Sequence, residues 1–146
     1  MLAVVGDGVF LRRVTRRGLV FFLWFMLACW AAAILGLSSM TRDELPPAAF
    51  LAGDKFNHFI AFMLGGWLAA SALRCSRPHL PAAGRILTAI VLLAAFGAFD
   101  EALQTYTPGR QGGDLYDWIA DFLGAMAGAL LTFKTHGRLE RFLTRP

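Results

Sequence analysis

Residues 18–37, GLVFFLWFMLACWAAAILGL, contain no charged side chain. At 1.5 Å of rise per residue, a helix of this length is about 30 Å long, which matches the hydrocarbon core of a bilayer. The segment is longer than the apolar region of an ordinary signal peptide, and it stays apolar after Cys29. It therefore predicts a transmembrane helix, and a cleaved signal peptide is the less favoured alternative.

Three further apolar blocks follow, separated by connectors rich in proline and glycine, which end helices. The chain is 57% hydrophobic and 16% charged, whereas a typical soluble domain is about 25% charged. We therefore predict an all-α fold, a polytopic membrane protein with four transmembrane helices in a compact bundle that forms one domain over 1–146. The predicted helices span about 18–37, 56–73, 86–103 and 115–133.

The basic residues lie mainly at the ends of the apolar blocks. If four helices cross the membrane, 11 of the 14 lysines and arginines fall on one side and 3 fall on the other. The positive-inside rule then predicts that both termini are cytoplasmic. Because topology accounts for the net charge of +4, and no basic face carries interleaved aromatic residues, nucleic acid is excluded as a partner.

Most ionisable residues within the blocks lie in the half of the membrane opposite the termini. His58 in the second block, Glu101 in the third and Asp121 in the fourth lie at similar distances from the inner ends of their blocks. These distances place the three side chains roughly 6–12 Å below the outer boundary of the hydrocarbon core. Because a charge facing lipid is costly at this depth, we expect the side chains to face one another or a wet cavity.

Helical spacing groups these residues further. Asp54 and His58 are four residues apart, and Glu101 and Gln104 are three apart, so each pair shares one helix face. A single stripe of the fourth helix is acidic at its outer end and ends in a GxxxG motif, which allows close helix packing. The stripe consists of Asp114, Asp117, Asp121 and the predicted packing residues Gly124 and Gly128.

A cluster of acids with one histidine is suited to proton transfer. Paired carboxylates in a medium of low dielectric constant separate into a proton donor and an acceptor, and a histidine serves as base or shuttle. The predicted catalytic residues are His58, Glu101 and Asp121. The predicted substrate-binding residues are Asp54, Lys55, Gln104, Arg110, Asp114 and Asp117. Among these, Arg110 is suited to clamp a phosphate or a carboxylate.

No residue is assigned as a metal ligand from the sequence, and the cofactor is left undetermined. Cys29 and Cys75 show neither metal-binding spacing nor a disulfide framework. Several carboxylates with one histidine nevertheless have the donor atoms for a divalent cation, so metal dependence stays open.

The order of the motifs resembles the VanZ-like family of bacterial membrane proteins over about residues 18–133. The second helix opens with Asp54-Lys55-x-x-His58, and the third closes with Glu101-x-x-Gln104. The remaining motifs are Pro108-Gly109-Arg110, Asp114, Asp117-Trp118 and Asp121-x-x-Gly124-x-x-x-Gly128. Members of the family commonly carry asparagine at the position of Asp121, so this chain departs from the pattern by one added acid.

The resemblance implies a protein of the bacterial cell envelope, located in the inner membrane. The namesake of the family is associated with resistance to the glycopeptide antibiotic teicoplanin. We therefore expect a polar site at the outer leaflet that binds or processes a lipid-linked envelope precursor. The alternative is a non-catalytic scaffold or accessory subunit whose polar cluster is a structural salt-bridge network. The expected partners are the lipid bilayer and either the precursor, a second copy of the chain or another membrane protein.

Overall fold

The computed structural model describes residues 4–47 and 53–144, with side chains described at 16–47 and 53–135. These residues form four α-helices and no strand, which confirms the all-α prediction. The helices are α1 (Val4–Ser38), α2 (Asp54–Ser76), α3 (Ala82–Gln104) and α4 (Leu115–Thr144). Some residues in the topological charge count lie outside the described side chains, namely Arg12, Arg13, Arg138, Arg141 and Arg145.

The helices extend beyond the apolar blocks that predicted them. Helix α1 begins at Val4 rather than near Gly18, and α4 continues to Thr144 rather than ending near Phe133. Arginine and lysine are good helix formers, so a helix need not end where its apolar segment ends. Hydropathy therefore marks the apolar part of each helix, and the helical backbone of α1 and α4 extends beyond that part.

Three segments are long and apolar enough to cross a membrane, Arg16–Ser38, Asp54–Ser76 and Ala82–Gln104. The described part of α4 does not reach that threshold, because Asp117 and Asp121 lie within its first turns. Large apolar side chains are exposed on the outer faces of these helices, as lipid contact requires. They include Phe21, Phe22, Phe25, Leu87, Val91 and Leu92. These features indicate a multi-pass membrane protein.

The most extensive helix contact joins α2 and α4, which run parallel. A Cβ atom built on Gly124 would lie 2.2 Å from the Phe59 carbonyl oxygen, and one on Gly128 would lie 1.9 Å from that of Met63. A third glycine, Gly66, makes an equally close approach from α2. Because real Cβ atoms do not approach backbone this closely, the two helices can touch only where the side chain is a hydrogen atom.

The four helices bring their polar ends together. Arg16 near the start of the apolar segment of α1 donates a hydrogen bond to the carbonyl oxygen of Cys75 at the end of α2 (3.2 Å), so α1 and α2 are antiparallel. At the opposite end of α1, Ser38 contacts Asp100 near the end of α3. The last turns of α1 and α3 and the first turns of α2 and α4 therefore form one end of the bundle, called here the polar end.

Candidate functional site

His58 and Asp121 form the central pair of the polar end. The imidazole Nδ1 of His58 lies 3.0 Å from Asp121 Oδ1, and Asp121 is completely buried (0% exposed). The other ring nitrogen, Nε2, lies 3.9 Å from Asp54 Oδ1, which is too long for a hydrogen bond. The ring is thus fixed by a buried carboxylate on α4 and faces an exposed carboxylate one turn earlier on α2.

Lys55 joins α2 to the start of α4. Its Nζ lies 3.1 Å from Asp114 Oδ2 and 2.9 Å from Asp117 Oδ1. The Asp114 side chain also accepts a hydrogen bond from the Tyr116 backbone N–H at 2.7 Å. That hydrogen bond, followed by the one from Lys55, lowers the pKa of Asp114 below its ordinary value. The three charged residues therefore act as a clamp between the two helices.

Glu101 anchors the connector between α3 and α4. Its Oε2 accepts a hydrogen bond from the Asp114 backbone N–H at 3.0 Å, and its carbonyl oxygen accepts one from the Gly113 N–H at 3.2 Å. Gly113 has a φ of 75°, in the left-handed region that favours glycine. The turn at Gly113 therefore positions Asp114 against the end of α3.

Asp100 is a site residue that the sequence analysis missed. It is 1% exposed, and its Oδ2 accepts hydrogen bonds from Ser38 Oγ (2.8 Å) and Gln104 Nε2 (3.1 Å). Gln104 was predicted to share a helix face with Glu101, whereas its side-chain amide donates a hydrogen bond to Asp100, four residues before it. The i, i+4 spacing of Asp100 and Gln104 predicts that these two side chains share a helix face, so Asp100 could have been found from the sequence. Ser38 and Ser39 stand together at the end of an apolar block, and nothing in the sequence marked Ser38 as a partner of Asp100.

Arg110 lies in the connector between α3 and α4 and continues this chain of hydrogen bonds. Its Nη2 donates to Gln104 Oε1 at 2.9 Å. The amide of Gln104 is therefore oriented by a carboxylate on one side and a guanidinium on the other. The Gln104 amide thus links Arg110 to the buried Asp100.

A cavity of about 690 Å³ lies at the polar end. One part of its wall is apolar and comes from α1 and α2, where the lining residues are Ile34, Leu37, Ala61 and Phe62. The other part is polar and comes from α2, α3 and the connector after α3, where the lining residues include Asp54, His58, Asp100, Gln104 and Arg110. The cavity is large enough for a small organic head group.

The predicted site residues divide into three groups. Asp54, His58, Gln104 and Arg110 line the cavity. The clamp residues, Lys55, Asp114 and Asp117, bind one another beside it. Glu101 and Asp121 are buried next to His58, and Gly124 and Gly128 lie farther along α4 in the contact with α2.

Two sets of side chains in the described residues bring potential metal ligands together. One set is Asp54, His58 and Asp117, and the other is His58, Glu101 and Asp121. Within each set, one ligand atom per residue lies within 4.8 Å of the others. The two sets share His58 and differ in burial, because Asp54 is exposed whereas Glu101 and Asp121 are buried.

The family model for VanZ/LLP1 matches residues 19–136, which is most of the chain and includes the whole polar end. This chain belongs to the VanZ/LLP1 family. The match confirms the resemblance drawn from the order of the motifs and supports a VanZ-like membrane protein, linked to glycopeptide resistance at the level of the family. Comparisons with curated proteins and with solved structures give no match.

The polar end of this VanZ/LLP1 protein supports two kinds of chemistry. A histidine whose Nδ1 is held by a buried aspartate is suited to proton transfer through its other nitrogen. Carboxylates and an imidazole within a few ångströms of one another are also suited to bind a cation. In either case the reacting groups adjoin a cavity with one apolar and one polar wall.

Proposed function

We propose that this VanZ/LLP1 protein binds the polar head group of a lipid-linked cell-envelope precursor in the cavity at its polar end. The observation that carries the proposal is the two-sided wall of the cavity. Ile34 and Leu37 supply apolar surface, whereas Asp54 and Arg110 supply charges of both signs. A ligand that joins a lipid tail to a charged head group is complementary to such a wall.

The cavity would face the outer leaflet of the bacterial inner membrane. The positive-inside rule supports this orientation, because most lysines and arginines fall on the side of the termini. We propose α4 as a fourth span. It follows α2 in parallel from the Gly124–Phe59 contact to the hydrogen bond that Trp67 donates to Thr135 (3.0 Å). A helix that accompanies a span over this length crosses the same part of the bilayer.

Within this proposal, Arg110 clamps an anionic group of the ligand, because a guanidinium presents several donors to a phosphate or carboxylate. Gln104 orients Arg110, and Asp54 and His58 contact the remaining polar atoms of the head group. His58, Glu101 and Asp121 supply whatever chemistry follows binding. The clamp of Lys55, Asp114 and Asp117 keeps α2 and α4 in register around the cavity.

Mass spectrometry of lipids that co-purify with the protein from bacterial membranes tests this proposal. We expect a lipid-linked head group with the natural protein and its loss with Arg110→Ala. Arg77→Ala is the matched control, because Arg77 is an exposed arginine after α2, remote from the cavity. Retention of the same lipid by all three proteins, or no bound lipid in any of them, would overturn the proposal.

A second candidate is a scaffold or accessory subunit whose polar end is structural. The clamp favours it, because Lys55 uses its charge to tie α2 to α4 and not to line the cavity. This candidate predicts a stable partner, either a second copy of the chain or another membrane protein, after purification in mild detergent. Size-exclusion chromatography with light scattering would distinguish such a complex from a single chain with bound lipid.

A further inference from the structure

Besides Asp117, three carboxylates are buried among the helices of the polar end. Asp100, Glu101 and Asp121 are each at most 4% exposed. Lys55 bonds Asp114 and Asp117, outside this group, and the bond of Arg110 goes to the neutral amide of Gln104. His58 Nδ1 lies within hydrogen-bond distance of one of the three, Asp121, at 3.0 Å. Buried carboxylates without a cation are strongly disfavoured, so each of them must either take up a proton or be compensated by a bound cation.

The dipole of its own helix also disfavours the ionised form of Glu101. Glu101 lies in the last turn of α3, where the partial charge of the helix is negative. Asp121 lies farther along α4, beyond its first turn, where the favourable positive end of the dipole has faded. Neither carboxylate is therefore stabilised by the end of its own helix.

Both carboxylates also have an oxygen without a hydrogen-bond partner among the described residues. These atoms are Glu101 Oε1 and Asp121 Oδ2, and both are fully shielded from solvent. Beside Asp121 Oδ2 lies Gly97, where an added Cβ would approach that oxygen to 2.9 Å. Glycine at this position makes room for the Asp121 carboxylate, which any larger residue would crowd.

We propose that His58, Glu101 and Asp121 bind one divalent transition-metal cation, of the kind represented by Mn²⁺ and Zn²⁺. Their ligand atoms already lie within 4.8 Å of one another. Ligand atoms about 2.1 Å from a tetrahedral ion lie about 3.4 Å from one another, so the three side chains must move closer together to close the site. An imidazole with two carboxylates is a donor set that suits these ions. Binding breaks the hydrogen bond between His58 and Asp121, and the proton of that bond passes to water, because metal ligands must be deprotonated.

The alternative set, Asp54, His58 and Asp117, is the weaker site. Asp117 already binds the ammonium group of Lys55 at 2.9 Å, and the Asp54 side chain is 73% exposed. A cation there would compete with an existing ion pair and with water. The buried set has two acceptor oxygens without a hydrogen-bond partner among the described residues, and no lysine bonds its carboxylates there.

The inference goes beyond the proposed function and does not depend on the nature of the head group. Three protein ligands leave coordination positions for water or another ligand, and His58 lines the cavity, so the ion would adjoin it. In the metal-bound protein His58, Glu101 and Asp121 serve as ligands. The chemistry they support is then attraction of an anionic group to the cation, not proton transfer by the histidine.

Titration of purified, delipidated protein with Mn²⁺ tests the inference, with the free ion followed by its electron paramagnetic resonance signal. We expect about one bound Mn²⁺ per chain and a higher melting temperature in its presence. Asp121→Asn and Glu101→Gln, which keep the side-chain volume, should weaken binding by roughly 10–100-fold or more and remove the shift in melting temperature. Circular dichroism checks that each variant remains helical.

Two control variants define what would overturn the inference. Asp43→Asn removes an exposed acid from the connector after α1, and Asp54→Asn removes the exposed member of the alternative set. Both should bind Mn²⁺ like the natural protein. No Mn²⁺ binding by the natural protein, equal binding by all variants, or loss of binding only with Asp54→Asn would each refute the proposed ligands. Because lipid is removed first, none of these outcomes depends on the proposed head-group site.

Discussion

Replacing Gly128 with alanine should destabilise the protein through one contact between α2 and α4. A Cβ at this position would lie 1.9 Å from the Met63 carbonyl oxygen and 2.8 Å from the Trp67 backbone nitrogen. Because Cβ contacts below 3.0 Å are essentially never observed, the helices must separate locally by at least 1.1 Å, the difference between 3.0 and 1.9 Å. Both opposing atoms belong to the backbone, so no side-chain rotation can relieve the clash.

The magnitude follows from the cost of overpacking, which is typically about 1–3 kcal/mol and occasionally more. We expect the upper part of that range, about 3 kcal/mol, because rigid backbone opposes rigid backbone. Alanine has a higher helix propensity than glycine by up to about 1 kcal/mol, which offsets part of the loss. The net effect should be close to 2 kcal/mol, or between tenfold and a hundredfold in the unfolding equilibrium constant.

Gly36→Ala is the matched control for this measurement. Gly36 lies in α1, and nothing approaches within 4 Å of a Cβ built there. The assay is unfolding in mixed micelles with an increasing mole fraction of sodium dodecyl sulfate, followed by tryptophan fluorescence. Gly36→Ala should unfold at the same or a higher mole fraction than the natural protein, and Gly128→Ala at a lower one. Coincident curves for the two variants would refute close backbone contact between α2 and α4.

Two further predictions concern the connectors. Hydrogen bonds from Tyr116 and Lys55 lower the pKa of Asp114 in the folded protein, so its contribution to stability is complete above the ordinary pKa of 3.8 and is lost as the pH falls through the lowered value. Between roughly pH 5 and 3, the melting temperature of the natural protein should therefore fall more than that of Asp114→Asn. An equal fall in the two proteins would contradict the stabilising role of the ionised Asp114. For topology, both native cysteines are first replaced by serine, because Cys75 lies two residues from Arg77. In that background a membrane-impermeant maleimide applied to intact cells should label Gln111→Cys and leave Arg77→Cys unlabelled until the membrane is permeabilised, and the reverse pattern would invert the proposed orientation.

Much of the fold was predictable because membrane helices are specified by local sequence. A bilayer demands an apolar segment of fixed length, and proline and glycine mark its ends, so the four blocks and their connectors were visible without a structure. The limits of the helices were not, because the outer ends of α1 and α4 lie beyond the apolar blocks and carry several arginines, which hydropathy assigns to connectors. The GxxxG motif at Gly124 and Gly128 pointed to a packing face, but not to the helix against which it packs.

The sequence by itself determined which residues are too polar to face lipid. Their distances from the inner ends of the apolar blocks predicted that His58, Glu101 and Asp121 lie at a similar depth in the membrane. Only the tertiary structure decided the partners, because side chains on different helices meet according to helix rotation and packing, which no spacing within one helix encodes. In the structure His58 contacts Asp121, Lys55 bonds the two acids at the start of α4, and Asp100 is buried against Ser38 of α1. The tertiary structure also brought Glu101 and Asp121 close to one imidazole, and each of these carboxylates has a buried oxygen without a hydrogen-bond partner among the described residues.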